Sequence, residues 1–251
     1  MTLLSININK IATLRNSRGG SEPNLLKFTE TLLSKDIKGI TIHPRPDERH
    51  ITKKDAYELS ELLEDYPLVE FNIEGRPTEE FLQLVTNIKP SQVTLVPDAP
   101  NVLTSNQGWD VFKEEKELNH VINIIRQQAG SRVSLFINPY DYLENGPRAL
   151  DFIVESRADR VELYTEEYAK SFNLGEKEKE DSLQVFKNFA NLCLKRKIGV
   201  NAGHDLNAQN LRLFKEHIPH LKEVSIGHAF VRDCLYFGLD NSVHLYQDTL
   251  L

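Results

Sequence analysis

The sequence predicts an α/β chain folded as a single (β/α)8 TIM barrel over residues 1–251, with additional helices. Short apolar, β-rich runs alternate with amphipathic stretches along the chain. Eight such runs are present, and a β-α order repeated eight times favours parallel strands joined by crossover helices. The 251 residues also match one eight-unit barrel, which commonly takes roughly 250. A doubly wound open sheet is the alternative.

The strands are expected, in chain order, at 3–9, 39–43, 69–74, 92–97, 132–138, 160–165, 198–203 and 223–228, each of ordinary strand length. After the second, 55–63 places Tyr57, Leu59, Leu62 and Leu63 on one helical face. After the third, 78–88 does the same with Phe81, Leu82, Leu84 and Val85. The stretches 118–125 and 185–194 repeat the pattern after the fourth and sixth. The charged segment 173–181 is expected to be a solvated loop and first helical turn. The Pro-, Asn- and Gly-rich segment 98–108 is either an active-site lid or an ordinary loop.

Composition excludes several classes. With 40% hydrophobic and 27% charged residues the chain is not intrinsically disordered. Two cysteines cannot staple a small scaffold. Cys193 and Cys234 sit among apolar neighbours and are expected to be buried thiols of a reducing, cytoplasmic protein. No apolar stretch of about 20 residues is present, so no membrane span is expected. The N-terminus lacks the pattern of a signal peptide. A net charge of −7 argues against a nucleic-acid partner and serves solubility.

Polar residues fall at the ends of the expected strands. The second ends in His43, followed by Arg45, Arg49 and His50; the third ends in Glu74. Glu162 lies inside the sixth, where it faces either the barrel lumen or the helices. The seventh runs into His204 and Asp205, and the eighth into Gly227 and His228. In a barrel these C-terminal ends meet at one face, where active sites lie. Residues far apart in sequence therefore converge on one candidate pocket.

The loops after strands seven and eight are frequent phosphate sites in such barrels. Here they read Asn-Ala-Gly-His-Asp and Ser-Ile-Gly-His-Ala, and Gly203 and Gly227 allow backbone N–H groups to approach an oxyanion. A helix beginning after Gly227 adds its positive N-terminal end. Arg15, Arg18, Arg45 and Arg49 form a second basic group, suited to bidentate phosphate contacts or to surface ion pairs. Two anion sites suggest two phosphorylated substrates or one bisphosphate. Zinc held by the histidines and Glu74 is disfavoured, because the chain has neither a His-Glu-x-x-His helix nor a Cys-x-x-Cys pair. No nucleotide-binding glycine motif follows a strand, and Ser225 is not in a nucleophile elbow.

The segments 7–19, 39–52, 71–75, 93–98, 160–165, 200–206 and 224–229 resemble the pyridoxine 5'-phosphate synthase family of vitamin B6 biosynthesis. Ile-Ala-Thr-Leu-Arg-Asn at 11–16 and Asn-Ala-Gly-His at 201–204 are its most specific marks. The resemblance implies a (β/α)8 barrel with extra helices that assembles into homo-oligomers, typically octamers. It implies condensation of 3-amino-2-oxopropyl phosphate with 1-deoxy-D-xylulose 5-phosphate to pyridoxine 5'-phosphate, phosphate and water, with neither metal nor organic cofactor. By the same resemblance His43 and Glu74 accept protons, His204 donates one, and Glu162 stabilises cationic intermediates or orients a partner. Asn7, Arg18, Gly227 and His228 would hold the amino-ketone phosphate. Arg45, His50 and Thr104 would hold the deoxyxylulose phosphate, with 98–108 closing over both.

Two departures from the family stand out. Asn9-Lys10 replaces the Asp-His that many members use for the deoxyxylulose phosphate, so Lys10 would supply the charge. Asp205 stands where some members have Gly, so only a backbone contact carries over. Glu74 rather than Glu70 is the expected base, because it lies nearer the C-terminal end of its strand. Another phosphosugar barrel enzyme, an isomerase or aldolase, and a non-catalytic phosphate-binding protein are the competing readings.

Overall fold

The computed structural model describes residues 2–99, 102, 105–218 and 220–251. Eight strands form a closed barrel in chain order. They are β1 (Leu3–Asn7), β2 (Gly39–Ile42), β3 (Glu70–Gly75), β4 (Gln92–Leu95), β5 (Arg132–Ile137), β6 (Arg160–Tyr164), β7 (Gly199–Gly203) and β8 (Glu223–Ile226). All neighbours are parallel, and β1 pairs with both β2 and β8. That closure excludes the open sheet. Every expected strand is present; seven are trimmed at one end, and the third is shifted by one residue to Glu70–Gly75. β1 stops at Asn7 because a helix begins at Asn9.

The helices are α1 (Asn9–Asn16), α2 (Leu25–Leu33), α3 (Lys53–Glu64), α4 (Glu79–Ile88), α5 (Glu115–Ile124), α6 (Gly146–Glu155), α7 (Glu166–Ser171), α8 (Glu176–Lys195), α9 (Leu211–His217), α10 (His228–Phe237) and α11 (Leu239–Thr249). The four amphipathic stretches lie within α3, α4, α5 with the wide turn that follows it, and α8. Tyr57 is a miss: it is 40% exposed, because the buried stripe of α3 runs through Asp55, Ala56, Leu59 and Leu63. Asp55 is buried because it closes a capping box with Thr52. Cys193 is fully buried, whereas Cys234 is only half-buried near the end of α10; both thiols are free.

Strand alternation sorts the side chains into two populations. Leu4, Ile6, Ile40, Ile42, Ile73, Val93, Leu135, Val161, Val200 and Val224 belong to the buried apolar core between barrel and helices. Each such side chain contributes about 1.5–3 kcal/mol on burial. The alternate row is polar and points into the lumen. Bonds between non-neighbouring strands establish this: Thr94 Oγ1 donates to Glu162 Oε2 at 3.4 Å and Gln92 Nε2 to Glu223 Oε2 at 3.3 Å. Ser5, Thr41, Asn72 and Thr94 continue as a hydrogen-bonded chain around the wall. At the N-terminal end Arg160 pairs with Glu223 at 3.1 Å, and Arg132 pairs with Glu70. Burying these groups is tolerable only because they partner one another.

Candidate active site

At the opposite end the lumen opens into a cavity of about 320 Å³. Twelve of the expected site residues line it: Asn7, Asn9, Lys10, His43, Arg45, His50, Glu74, Glu162, His204, Asp205, Gly227 and His228. Arg18 is exposed in the turn after α1 and is not among the lining residues. Thr104 lies outside the described residues. Thr13, Val96, Ser105, Phe136 and Ser225 also line the cavity and were not among the expected site residues. Strand parity marks three of them: Val96 and Phe136 lie two residues beyond the lumenal Thr94 and Ser134, and Ser225 two beyond Glu223.

The expected basic group divides. Arg15 faces α3 instead, with its guanidinium 2.5 Å and 2.8 Å from the two carboxylate oxygens of Asp55. The same arginine donates to Asn16 Oδ1 at 2.9 Å. It clamps α1 to α3, and a buried carboxylate explains why it was drawn there. Arg45 and Arg49 do reach the cavity. Arg45 is held by Asp98 at 2.6 Å in a buried ion pair, to which Ser105 Oγ adds a 2.8 Å bond. Arg49 bonds Asp47 and the Val102 carbonyl, the latter at 3.1 Å. Within the β4–α5 segment, Asp98 and Val102 therefore rest on the loop after β2, and Ser105 joins them. The far end of the segment is pinned by Trp109, whose Nε1 donates to Leu95 O at 2.8 Å.

His43 Nδ1 and Glu74 Oε2 lie 3.8 Å apart, both nearly buried. Asn7 Nδ2 reaches the same carboxylate oxygen at 3.5 Å. Asn9 Oδ1 accepts from the His43 backbone N–H at 2.9 Å, so part of its side chain braces the chain just after β2. Burial pushes Glu74 well above the ordinary carboxylate range, and repulsion from Glu162 and Asp98 adds to this. Burial also drives His43 well below its usual value, with Arg45 adding in the same direction. Each shift favours the uncharged form of its group, because burial penalises charge.

Glu162 is pushed up to about 8, chiefly by burial and then by Glu223. Its outward alternative is excluded by the Thr94 bond and by Gly203, where an added Cβ would meet Glu162 Oε1 at 2.2 Å. His50 is lowered to about 4 by burial, then by Arg45 and Lys10. Its Nδ1 accepts from Ile51 N–H at 2.9 Å, which puts the proton of the neutral ring on Nε2. Gly227 caps α10 without a side-chain bond, and an added Cβ there would sit 3.2 Å from Asn7 Cβ. That arrangement suits an oxyanion at the helix N-terminus. The cavity thus gathers four carboxyl or imidazole groups of shifted proton affinity, His43, His50, Glu74 and Glu162.

The chain matches a family model described as pyridoxal phosphate biosynthesis protein PdxJ over residues 4–251. It is 49% identical over 246 residues to a pyridoxine 5'-phosphate synthase of Cytophaga hutchinsonii, covering 98% of each chain. It is 46% identical to the enzyme of that name from Christiangramia forsetii, covering 100% of both. Among solved structures, N-(5'-phosphoribosyl)anthranilate isomerase from Pyrococcus furiosus superposes with a TM-score of 0.60 at 15% identity, over 100% of this chain and 98% of that one. Thiamine phosphate pyrophosphorylase from the same organism gives 0.59 at 12% identity, over 99% and 95%. At such identities these two show the shared barrel alone.

Proposed function

This chain belongs to the pyridoxal phosphate biosynthesis protein PdxJ family, and we propose that its barrel mouth condenses 3-amino-2-oxopropyl phosphate with 1-deoxy-D-xylulose 5-phosphate to give pyridoxine 5'-phosphate, phosphate and water. The observation that carries the reading is one cavity holding His43, Glu74, Glu162 and His204 between the Gly227–His228 helix end and the Lys10–Arg45–His50 cluster. Two phosphorylated substrates need two anion cradles, and a multi-step condensation needs several proton-transfer groups of different affinity.

The amine attacks a ketone, and the departing hydroxyl takes a proton from His204. His43 and Glu74 remove protons from carbon, so that phosphate leaves and the ring closes. A carboxyl with raised proton affinity is the stronger base once ionised. Glu162, buried in the lumen wall, stabilises cationic imine intermediates once ionised or orients a partner. Asn7, Gly227 and His228 hold the amino-ketone phosphate. Lys10, Arg45 and His50 hold the other, with the backbone of Asp205 and the side chain of Asn9 shaping the rim. Arg18 and Thr104 remain assigned to the two phosphates by family resemblance.

Glu74→Gln and His204→Asn should each lower kcat by at least ~10²-fold, the scale of acid–base groups. Near-normal turnover in either variant removes its assigned role. The reading takes residues 1–251 as one catalytic domain, supported by strands from Leu3 to Ile226 closing one barrel. It places the protein in the cytoplasm, supported by two free thiols. Among the described residues no helix is long and apolar enough to cross a membrane. It also makes the chain a homo-oligomer, an octamer by resemblance, supported by exposed Leu235, Tyr236 and Phe237 on α10. Light scattering giving a monomer mass would remove that part.

A further inference from the structure

The role of Asp205 rests on the reading of His204 as the proton donor. The His204 backbone has φ +86°, a left-handed conformation that a non-glycine residue adopts rarely. The turn aims the ring across the end of β7, where it meets Tyr164 edge-on at 4.8 Å and 87°. Tyr164 is itself fixed by a hydroxyl bond to Glu166. The Nδ1 atom of His204 lies 2.8 Å from Asp205 Oδ2. Asp205 is in turn anchored through its carbonyl, which accepts from the buried Asn210 Nδ2 at 3.1 Å. The family resemblance gives this position a backbone contact only, because some members carry Gly there.

We propose that Asp205 is a positioning residue for His204. Its carboxylate accepts the Nδ1 proton, fixes the tautomer that turns Nε2 toward the cavity, and supports the imidazolium that donates. In the donating step the substrate C–O bond breaks and its electron pair stays on oxygen. The Nε2 proton moves to that oxygen and water departs. The neutral ring keeps its Nδ1 proton, hydrogen-bonded to Asp205. A carboxylate that orients a histidine in this way sets both geometry and basicity. Other charged or titratable groups face the pair: Glu162 and Tyr164 from β6, Glu166 and Lys170 from α7, and His228 from α10. The Asp205 carboxyl is held below its usual value mainly by the His204 bond.

The test compares Asp205→Asn, Asp205→Glu and His204→Asn by kcat and by KM for each substrate across pH, with circular dichroism to verify folding. Asp205→Asn should lower kcat about tenfold. That is far less than the ~10⁴ lost where a buried carboxylate orients a catalytic histidine, because the Asp205 side chain is 47% exposed. The alkaline limb of kcat should move to lower pH, both KM values should hold, and Asp205→Glu should recover most of the rate. An unchanged kcat and pH limb in Asp205→Asn overturns the proposal. So does a raised KM for the amino-ketone phosphate with kcat intact, which would make Asp205 a ligand contact. If Asp205→Asn does not fold, Asp205→Gly gives the same readouts. An active His204→Asn instead removes the underlying role of His204, and is distinguishable because it fails whatever Asp205 does.

Discussion

Glu70 and Glu74 share one strand and one face yet have opposite surroundings. Glu70 pairs with Arg132 at the N-terminal end of the barrel, whereas Glu74 lies beside His43 at the cavity. Two turns of the strand pleat separate a structural ion pair from a carboxyl at the cavity. Glu70→Gln should therefore leave kcat within about threefold, while Glu74→Gln loses ~10²-fold or more. A steady-state comparison of both variants checks this, and equal losses would contradict it. Which of the two lies at the cavity was legible in the sequence, because strand direction puts the later residue at the C-terminal end. The fate of Arg15 was not legible. Its partner Asp55 is 40 residues away and is turned inward by a capping box, a tertiary relation that no local pattern encodes.

At the scale of elements, short apolar, β-rich runs between amphipathic stretches made all eight strands readable, and their polar ends made most of the cavity readable. Strand ends moved by one or two residues because capping geometry, not hydrophobicity, sets where a helix starts. Asp98 was missed as the partner of Arg45, since loop-to-loop contacts leave no periodic trace. The β6–β7 pair shows how closely the wall is fitted to the chemistry. Gly203 packs against the Glu162 carboxylate so tightly that an added Cβ would come within 2.2 Å of Oε1. Gly203→Ala must displace either the strand or the carboxylate, at a cost of about 1–3 kcal/mol for overpacking. Thermal unfolding should show a lower Tm, and kcat should fall with it. A variant with wild-type Tm and kcat would show that Glu162 is not held where described.

Across the whole molecule, the apolar shell stabilises the barrel while the polar lumen opposes it. Glu162 is pushed up to about 8 and Glu223 to about 7, both mainly by burial. A carboxyl with a raised folded-state pKa gives stability that is fully present below its unfolded value near 4.5 and is lost as pH rises through the folded value. The protein should therefore lose stability between about pH 5 and pH 9 by this contribution. Glu162→Gln should remove much of that loss and gain more at pH 9 than at pH 6 in chemical denaturation. Equal gains at both pH values would contradict the assignment. The net charge of −7 belongs to the whole chain, whereas the mouth also gathers Lys10, Arg45, Arg49 and the N-terminal end of α10.

The most direct test supplies the purified protein with 3-amino-2-oxopropyl phosphate and 1-deoxy-D-xylulose 5-phosphate, together and each alone, and tracks inorganic phosphate and the pyridoxine 5'-phosphate chromophore. Both products should appear, in equal amounts, only when both substrates are present. Turnover of one phosphosugar without the amine, or no product at high protein concentration, would contradict the assignment.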